Sequence, residues 1–173
     1  VVLTITGILS PVEAIAGFAN PAVVTIGAMF MLSEWVRRTG ILDRIAGRLT
    51  VHGRGRPLVT LLLMMLTVAA VSSLINNTAA VAIFIPVVLS ISHQLQVSPS
   101  KLLIPLSFAA ILGGTITLVG TSTNMLVNAF ATSQSDVEFT IFDFTWVGLP
   151  LTILGLVYLI LFGKRGLPER TTI

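Results

Sequence analysis

Two clusters of uncharged polar residues stand inside apolar stretches of the sequence. The first is Asn76-Asn77-Thr78, which lies between the apolar runs 58–75 and 79–95. Asn and Thr side chains offer neutral donors together with carbonyl and hydroxyl acceptors. A helix that begins at Ala79 would also direct its free N–H groups and the positive end of its dipole toward this turn. These features predict a binding site for an anion at residues 76–78.

The second cluster lies inside the apolar segment 102–130, which is 29 residues long. A single straight helix of that length would measure about 44 Å and would exceed the ~30 Å hydrocarbon core of a bilayer. Helix-poor residues at Gly113-Gly114-Thr115 and at Gly120-Thr121-Ser122-Thr123-Asn124 predict an interruption. Backbone carbonyl groups released at Gly120, and those at the helix end near Ile75, would suit a hard cation such as Na⁺.

Each cluster also has a purely structural interpretation. Residues 76–78 could form an ordinary turn between two complete membrane spans, and the glycines could form a face on which helices pack closely. Two interruptions in one short chain favour a site, because broken backbone in hydrocarbon requires protein, water or a bound solute to satisfy its polar groups. Glu34, near Arg37 and Arg38, is interpreted as part of an interfacial ion pair rather than as a proton carrier.

The elements that must position these clusters are membrane helices. Hydrophobic residues make up 54% of the 173 residues and charged residues only 10%, with a mean hydropathy of +0.98, whereas soluble domains carry roughly 25% charged residues. The composition predicts an all-α integral membrane protein. Asn20-Pro21 is a helix-start signature for a first crossing that ends near residue 36, and residues 146–163 form a final crossing.

The charged residues are sorted along the chain and predict its orientation. All ten Lys and Arg lie at 37–56, at Lys101 and at 164–170, whereas the charged residues of the loop 132–145 are all acidic. The positive-inside rule places the three basic regions in the cytoplasm. The segment 57–95 must then return to the side on which it begins, either as two complete spans or as a re-entrant hairpin. Charge alone does not distinguish these alternatives.

Several functional classes are excluded. The basic residues are spread along loops without interleaved aromatic residues, so they do not indicate nucleic-acid binding. The sequence contains no cysteine for a thiol nucleophile or a Cys-ligated metal site. It also contains no HExxH or GxSxG motif and no pair of intramembrane carboxylates, so we do not expect an enzyme.

The motifs of these clusters and their flanks resemble those of the divalent anion/sodium symporters, which are citrate-transporter-like permeases of the ion transporter superfamily. The similarity extends over nearly the whole chain from Gly17 onward. Two positions depart from the family pattern, because Asn76 stands where many members have Ser and Ser122-Thr123 replace a Pro-Pro pair. The motifs are Ile75-Asn76-Asn77-Thr78-Ala79-Ala80-Val81, Ile85-Pro86-Val87, Ser100-Lys101-Leu102-Leu103-Ile104-Pro105-Leu106-Ser107, Gly113-Gly114-Thr115 and Val119-Gly120-Thr121-Ser122-Thr123-Asn124.

The resemblance implies a transporter built from two inverted repeats, of which this chain is the first. The second repeat of the same protein would complete the site, a homodimer is expected, and a cytosolic regulatory domain could begin near the end of the chain. Within this repeat, the implied units are the end of one helix and the first crossing (1–36), a cytoplasmic linker (37–56), a re-entrant hairpin (57–95), a broken helix (102–130) and the final crossing (146–163).

The resemblance also implies roles for individual residues, each carried over from a matching motif position. The anion would contact Asn76, Asn77, Thr78, Thr121 and Ser122. Sodium would be held by Ser72, Asn76, Asn77 and Gly120. The supporting turn would consist of Gly113, Gly114, Thr123 and Asn124.

The implied function is secondary active transport of a divalent anion, either sulfate or a di- or tricarboxylate, coupled to Na⁺ by alternating access. The protein would be a multi-pass component of the plasma or inner membrane. An arsenite or Na⁺/H⁺ antiporter of the same superfamily is the alternative within this class. A membrane scaffold subunit that transports nothing is the alternative from another class.

Overall fold

The computed structural model describes residues 2–8, 10–19, 21–41, 44–45, 48, 57–135 and 137–166. In these ranges all regular secondary structure is helical and no β-strand occurs, which confirms the predicted all-α class. Asn20, most of the expected linker 37–56 and residues 167–173 lie outside the described residues.

The N-terminal part consists of short helical segments followed by one longer helix. Ser10 and Glu13 form a reciprocal capping box, because the Ser10 N–H donates to Glu13 Oε2 (2.8 Å) and the Glu13 N–H donates to Ser10 Oγ (3.2 Å). These hydrogen bonds hold the pKa of Glu13 below its ordinary value. The segments are α1 (Val2–Ile5), α2 (Pro11–Ala16), a 3₁₀ helix (Gly17–Ala19) and α3 (Pro21–Arg38).

Helices α4 (Pro57–Ser72), α5 (Asn77–Leu95) and α6 (Ser100–Gly114) form the centre of the structure. Helix α4 packs most extensively against α6, and α5 packs against both. The sequence of α4 is apolar on every side, as is typical of a helix without a water-facing surface. The largest side chains that are fully buried in this core are Phe84, Met64, Met65, Leu106, Val68 and Val88.

The predicted interruption of the long apolar segment is present. Helix α6 ends at Gly114, the backbone is non-helical from Thr115 to Thr121, and α7 (Ser122–Ser135) follows. We call residues 115–121 the α6–α7 turn. Helix α8 (Thr145–Gly166) packs on α6 and α4, and α7 packs on α3. Within the turn, Thr117 and Gly120 are buried and the other residues are half-buried.

Two helices among the described residues are long and apolar enough to cross a membrane, namely Asn77–Leu95 and Thr145–Phe162. Only 17% of the second stretch is buried within the chain, and it exposes large apolar side chains such as Trp146 and Leu154. Helices α4 and α6 are apolar but shorter. Such unpartnered apolar surface is typical of a protein whose solvent is lipid.

Candidate functional site

The first polar cluster forms the connection between α4 and α5. We call residues 73–78 the tip. Asn76 is the N-cap of α5, with its side-chain Oδ1 accepting a hydrogen bond from the Thr78 N–H at 2.8 Å. Asparagine is a preferred N-cap because its short side chain satisfies an N–H that lacks an intrahelical partner.

The helix bounds at the tip differ from the sequence prediction. Helix α4 ends at Ser72 rather than near Ile75, and α5 begins at Asn77 rather than at Ala79. The side chain of Asn76 caps α5, so the helix begins at the next residue, Asn77. Its first turn therefore includes Asn77 and Thr78. The Asn77 side chain is thereby presented on the first turn of a helix instead of within a loop.

Ser72 and Asn77 join the tip to α6 and to the α6–α7 turn. The fully buried Ser72 hydroxyl donates to the Ala110 carbonyl oxygen (2.7 Å) and lies 2.6 Å from the Asn77 amide. Because the single hydroxyl proton goes to Ala110, we assign the amide nitrogen of Asn77 to the side facing Ser72. In this orientation the nitrogen also donates to the Gly120 carbonyl oxygen at 3.1 Å.

The α6–α7 turn is held by side chains that replace its missing helical hydrogen bonds. The buried Thr117 hydroxyl donates to the Ser73 carbonyl oxygen and accepts from the Gly120 N–H at 3.2 Å. The Asn124 side chain, which is also buried, donates to the Thr117 carbonyl oxygen at 2.9 Å. These bonds explain how a stretch of broken backbone is accommodated inside an apolar protein.

Three glycines permit α6 and the α6–α7 turn to approach α4 and the tip closely. A Cβ atom at Gly113 would lie 2.3 Å from the Ala69 carbonyl oxygen, and one at Gly114 would lie 2.3 Å from the end of the Asn77 amide. At Gly120 it would lie 2.6 Å from the carbonyl oxygen of Gly114 and 2.9 Å from that of Ser72. These glycines can therefore allow close packing of helices and also belong to the predicted site. We call Ser72, Asn77, Gly114, Thr117 and Gly120 the junction.

A cavity of about 10 Å³ lies beside the junction, between α3, the tip and the start of α7. This volume is close to the minimum that a single water molecule needs. Ser33 and Asn76 are connected at its edge by a hydrogen bond of 3.4 Å from the Asn76 N–H to the Ser33 hydroxyl. The polar part of its lining comes from Ser33, Asn76, Gly120 and Ser122.

A larger cavity of about 430 Å³ is lined by the tip and by the last turns of α3. Asn76 and Thr78 line it on the tip side. Ser33, Glu34 and Arg37 line it on the α3 side, together with Phe30. Its volume falls within the range of small-molecule sites, about 300–1,000 Å³. We call Phe30, Ser33, Glu34 and Arg37 the α3 wall.

The structure brings most of the expected site residues together. Ser72, Asn76, Asn77, Gly114 and Gly120 meet at the junction and the tip, and Gly113 lies against α4 next to them. Thr78 lines the larger cavity and Ser122 the smaller one. Thr121 and Thr123 line neither of these two cavities, and Asn124 supports the turn from within.

Two hydroxyl residues of this region, Thr117 and Ser33, are not among those predicted from the sequence. Thr117 is the buried link between the tip and the turn, and Ser33 lines both cavities. Thr117 lies between Gly114 and Gly120 in the sequence. Its position between two glycines could have indicated that Thr117 belongs to the turn. Ser33 is 43 residues away from its partner Asn76, so the sequence does not indicate that the two meet.

The sequence of the chain is similar to those of known transporters. The family model described as citrate transporter matches residues 1–172. An uncharacterized transporter of Synechocystis sp. is 47% identical over 173 residues, which cover 100% of this chain and 28% of that protein. The uncharacterized transporter YfbS of Escherichia coli is 37% identical over 175 residues, which cover 98% of this chain and 29% of that protein.

A third relative has a more specific name. Sodium/sulfate cotransporter 1 of Chlamydomonas reinhardtii is 35% identical over 162 residues, which cover 89% of this chain and 18% of that protein. The chain thus spans less than a third of the length of each of these relatives. These proteins are named as transporters and not as enzymes. With the family model matching almost every residue, the chain belongs to the citrate transporter family of membrane transport proteins.

Proposed function

We propose that this chain is the first of two inverted repeats in a transporter that moves a divalent anion together with Na⁺. Sulfate is the favoured substrate, because three relatives from Chlamydomonas reinhardtii are named sodium/sulfate cotransporters. A di- or tricarboxylate is the second candidate, since the family is described by the name citrate transporter. Both ligands are small anions that carry more than one negative charge.

The observation that carries this proposal is the meeting of two helix interruptions at the junction. Hydrogen bonds join the Ser72 hydroxyl oxygen, the Asn77 amide and the Gly120 carbonyl oxygen, and Asn76 and Gly120 line the small cavity beside them. Hard cations prefer such neutral and carbonyl oxygens at close range. The anion would lie on the outer side of the tip, near Asn76, Asn77, Thr78, Thr121 and Ser122.

Binding of Na⁺ would require the Asn77 side chain to change its orientation. An amide nitrogen can only donate hydrogen bonds, so it cannot contact a cation. The nitrogen of Asn77 now faces Ser72 and the Gly120 carbonyl. Rotation of the amide would present its oxygen to the cation and release the Gly120 carbonyl. The cation's charge would then offset part of the charge of an anion bound at the tip.

Helices α4 and α5 are proposed to be the two arms of a re-entrant hairpin. Helix α4 has 16 residues and measures about 24 Å, which is less than the ~30 Å hydrocarbon core. Its polar end at Ser72 is fully buried in protein rather than placed at a surface. The hairpin would occupy residues 57–95, after a cytoplasmic linker at 37–56, with crossings in 1–36 and 146–163 and a broken helix at 102–130.

The second repeat of the same protein would supply the other half of the site, and the transporter would work as a homodimer in the plasma or inner membrane. Alternating access would carry the loaded site from one face of the bilayer to the other. This arrangement requires that the anion and Na⁺ bind together, because each lowers the electrostatic cost of moving the other.

The test uses the full-length transporter in sealed membrane vesicles. We expect uptake of labelled sulfate or succinate to need Na⁺, and replacement of Na⁺ by K⁺ to abolish it. Asn77→Ala should lower uptake about tenfold or more, because it removes hydrogen bonds to buried groups. The matched control is Gln94→Ala, an exposed amide near the other end of α5, which should change uptake less than twofold.

Two outcomes would contradict the proposal. Uptake that does not depend on Na⁺ and depends on the pH gradient alone would favour the alternative function, an antiporter. Uptake that is unchanged by both Asn77→Ala and Thr121→Ala would mean that the two polar interruptions are structural and that the site lies elsewhere.

A further inference from the structure

The larger cavity has two chemically different sides. On the tip side its polar groups are neutral, from Asn76 and Thr78. On the α3 side it is lined by the charged residues Glu34 and Arg37. Two guanidinium N–H groups of Arg37 donate to the Glu34 carboxylate, at 2.6 and 2.7 Å, so the Arg37 side chain is fixed in position.

Three charged side chains meet at the end of α3. Arg38 also donates to the Glu34 carboxylate, at 2.9 Å, so two guanidinium groups share one carboxylate. The two arginines are not equivalent, however. Arg37 lines the cavity, whereas Arg38 is not part of its lining and its side chain is 74% exposed. The charged groups of the cavity lining are therefore the Glu34 carboxylate and the Arg37 guanidinium that is paired with it.

A multiply charged anion needs more than neutral donors when it leaves water. Neutral amide and hydroxyl groups form hydrogen bonds that are roughly half as strong as those of a charged donor. A guanidinium group carries a positive charge and matches the paired oxygens of a carboxylate or a sulfate-like anion. Within the described residues of this cavity, Arg37 is the side chain with these properties.

We propose that Arg37 is an anion-recognition residue of this transporter, and that Glu34 is the positioning residue that holds its guanidinium at the cavity. The anion would bind between Arg37 on α3 and the neutral donors of the tip. This inference rests on the proposed function, and it assigns α3 a role in substrate binding that the interfacial ion-pair interpretation does not give it.

The two interpretations make different predictions because both arginines bond to the same carboxylate. If the group is only an interfacial ion pair, loss of either arginine should leave the KM for the anion unchanged. If Arg37 binds the anion, its loss should weaken substrate binding and loss of Arg38 should not. The pair Arg37→Gln and Arg38→Gln therefore forms a matched comparison within one turn of one helix.

The experiment measures KM and maximal rate for labelled sulfate, and for labelled succinate, in vesicles that contain the full-length transporter. We expect Arg37→Gln to raise KM about tenfold with a maximal rate within about twofold of the unmodified protein. Arg38→Gln should leave KM within about twofold. Arg37→Lys keeps the charge but loses the planar paired donors, so it should raise KM only about threefold.

Equal changes of KM in Arg37→Gln and Arg38→Gln would overturn the inference, as would a lower maximal rate with unchanged KM in Arg37→Gln. If Arg37→Gln does not accumulate in the membrane, Arg37→Lys and Arg38→Lys repeat the comparison, and an effect confined to Arg37 supports it. Failure of the unmodified protein to take up either anion would overturn the proposed function as well, so the two failures are distinguishable.

Discussion

The site has two sides that differ in packing and in charge. At the junction, backbone and side chains approach so closely that added Cβ atoms would lie 2.3–2.9 Å from neighbouring atoms. At the α3 wall, the tip and α3 line a cavity of about 430 Å³ and are joined by a long hydrogen bond of 3.4 Å between Asn76 and Ser33. The junction is neutral, whereas the α3 wall carries Glu34 and Arg37.

This difference suits the two kinds of ligand that the protein is proposed to carry. A small cation is held by several oxygens at fixed short distances, so its site benefits from rigid packing. An organic or inorganic polyanion needs more volume and a compensating charge. Substitutions on the two sides should therefore differ in size of effect.

The largest effect is expected from Gly113→Ala. Its new Cβ would lie 2.3 Å from the Ala69 carbonyl oxygen, so α4 and α6 would have to separate within the core. We expect a loss of about 3 kcal/mol or more in stability, measured as thermal unfolding of the purified full-length protein in detergent. The matched control is Gly27→Ala on α3, where no atom lies within 4 Å.

Gly27→Ala should raise stability by about 0.5–1 kcal/mol, because alanine restricts the unfolded chain more than glycine does and nothing obstructs its side chain. Similar unfolding temperatures for Gly27→Ala and Gly113→Ala would contradict the contrast between a packed junction side and an open α3 side.

An intermediate effect is expected from Thr117→Val, which keeps the shape of the side chain and removes its hydroxyl. The Ser73 carbonyl and the Gly120 N–H would each lose a partner in a buried place. The expected cost is about 1–3 kcal/mol of unfolding free energy, together with a higher Na⁺ concentration for half-maximal uptake.

The control for this substitution is Thr67→Val on α4. The Thr67 hydroxyl donates only to the Leu63 carbonyl of its own helix, at 2.7 Å. Its loss should cost less than about 0.5 kcal/mol, because that carbonyl still accepts its helical hydrogen bond. A Thr117→Val protein as stable and as Na⁺-sensitive as the Thr67→Val protein would show that Thr117 does not hold the junction.

The features that the sequence predicts are the local ones. The overlong apolar segment, its glycines and the Asn-Asn-Thr cluster indicate helices, an interruption and a tip, because length and propensity act within one stretch of chain. The sequence does not indicate which residues that are far apart in the chain form hydrogen bonds with each other. Thr117 meets Ser73 across 44 residues and Ser33 meets Asn76 across 43, and no periodicity indicates which hydroxyl will face which carbonyl.

The same limit applies to charge. Arg37 and Arg38 are adjacent in sequence and bond to one carboxylate, so their pattern indicates an ion pair and does not separate them. Only the packing of α3 beside the tip places Arg37, and not Arg38, on the larger cavity. Likewise, the start of α5 depended on whether Asn76 or a later residue capped it, and that choice rests on the side-chain geometry of the tip.

The smallest effect is expected from Ser33→Ala, which removes the long hydrogen bond between α3 and the tip. The Asn76 N–H would then face cavities in which water can replace the hydroxyl, so it would not be left unpaired. We expect a change in stability below about 0.5 kcal/mol and less than a twofold change in Na⁺ dependence. A loss as large as that from Thr117→Val would mean that α3 and the tip form one rigid unit, contrary to the contrast between the two sides.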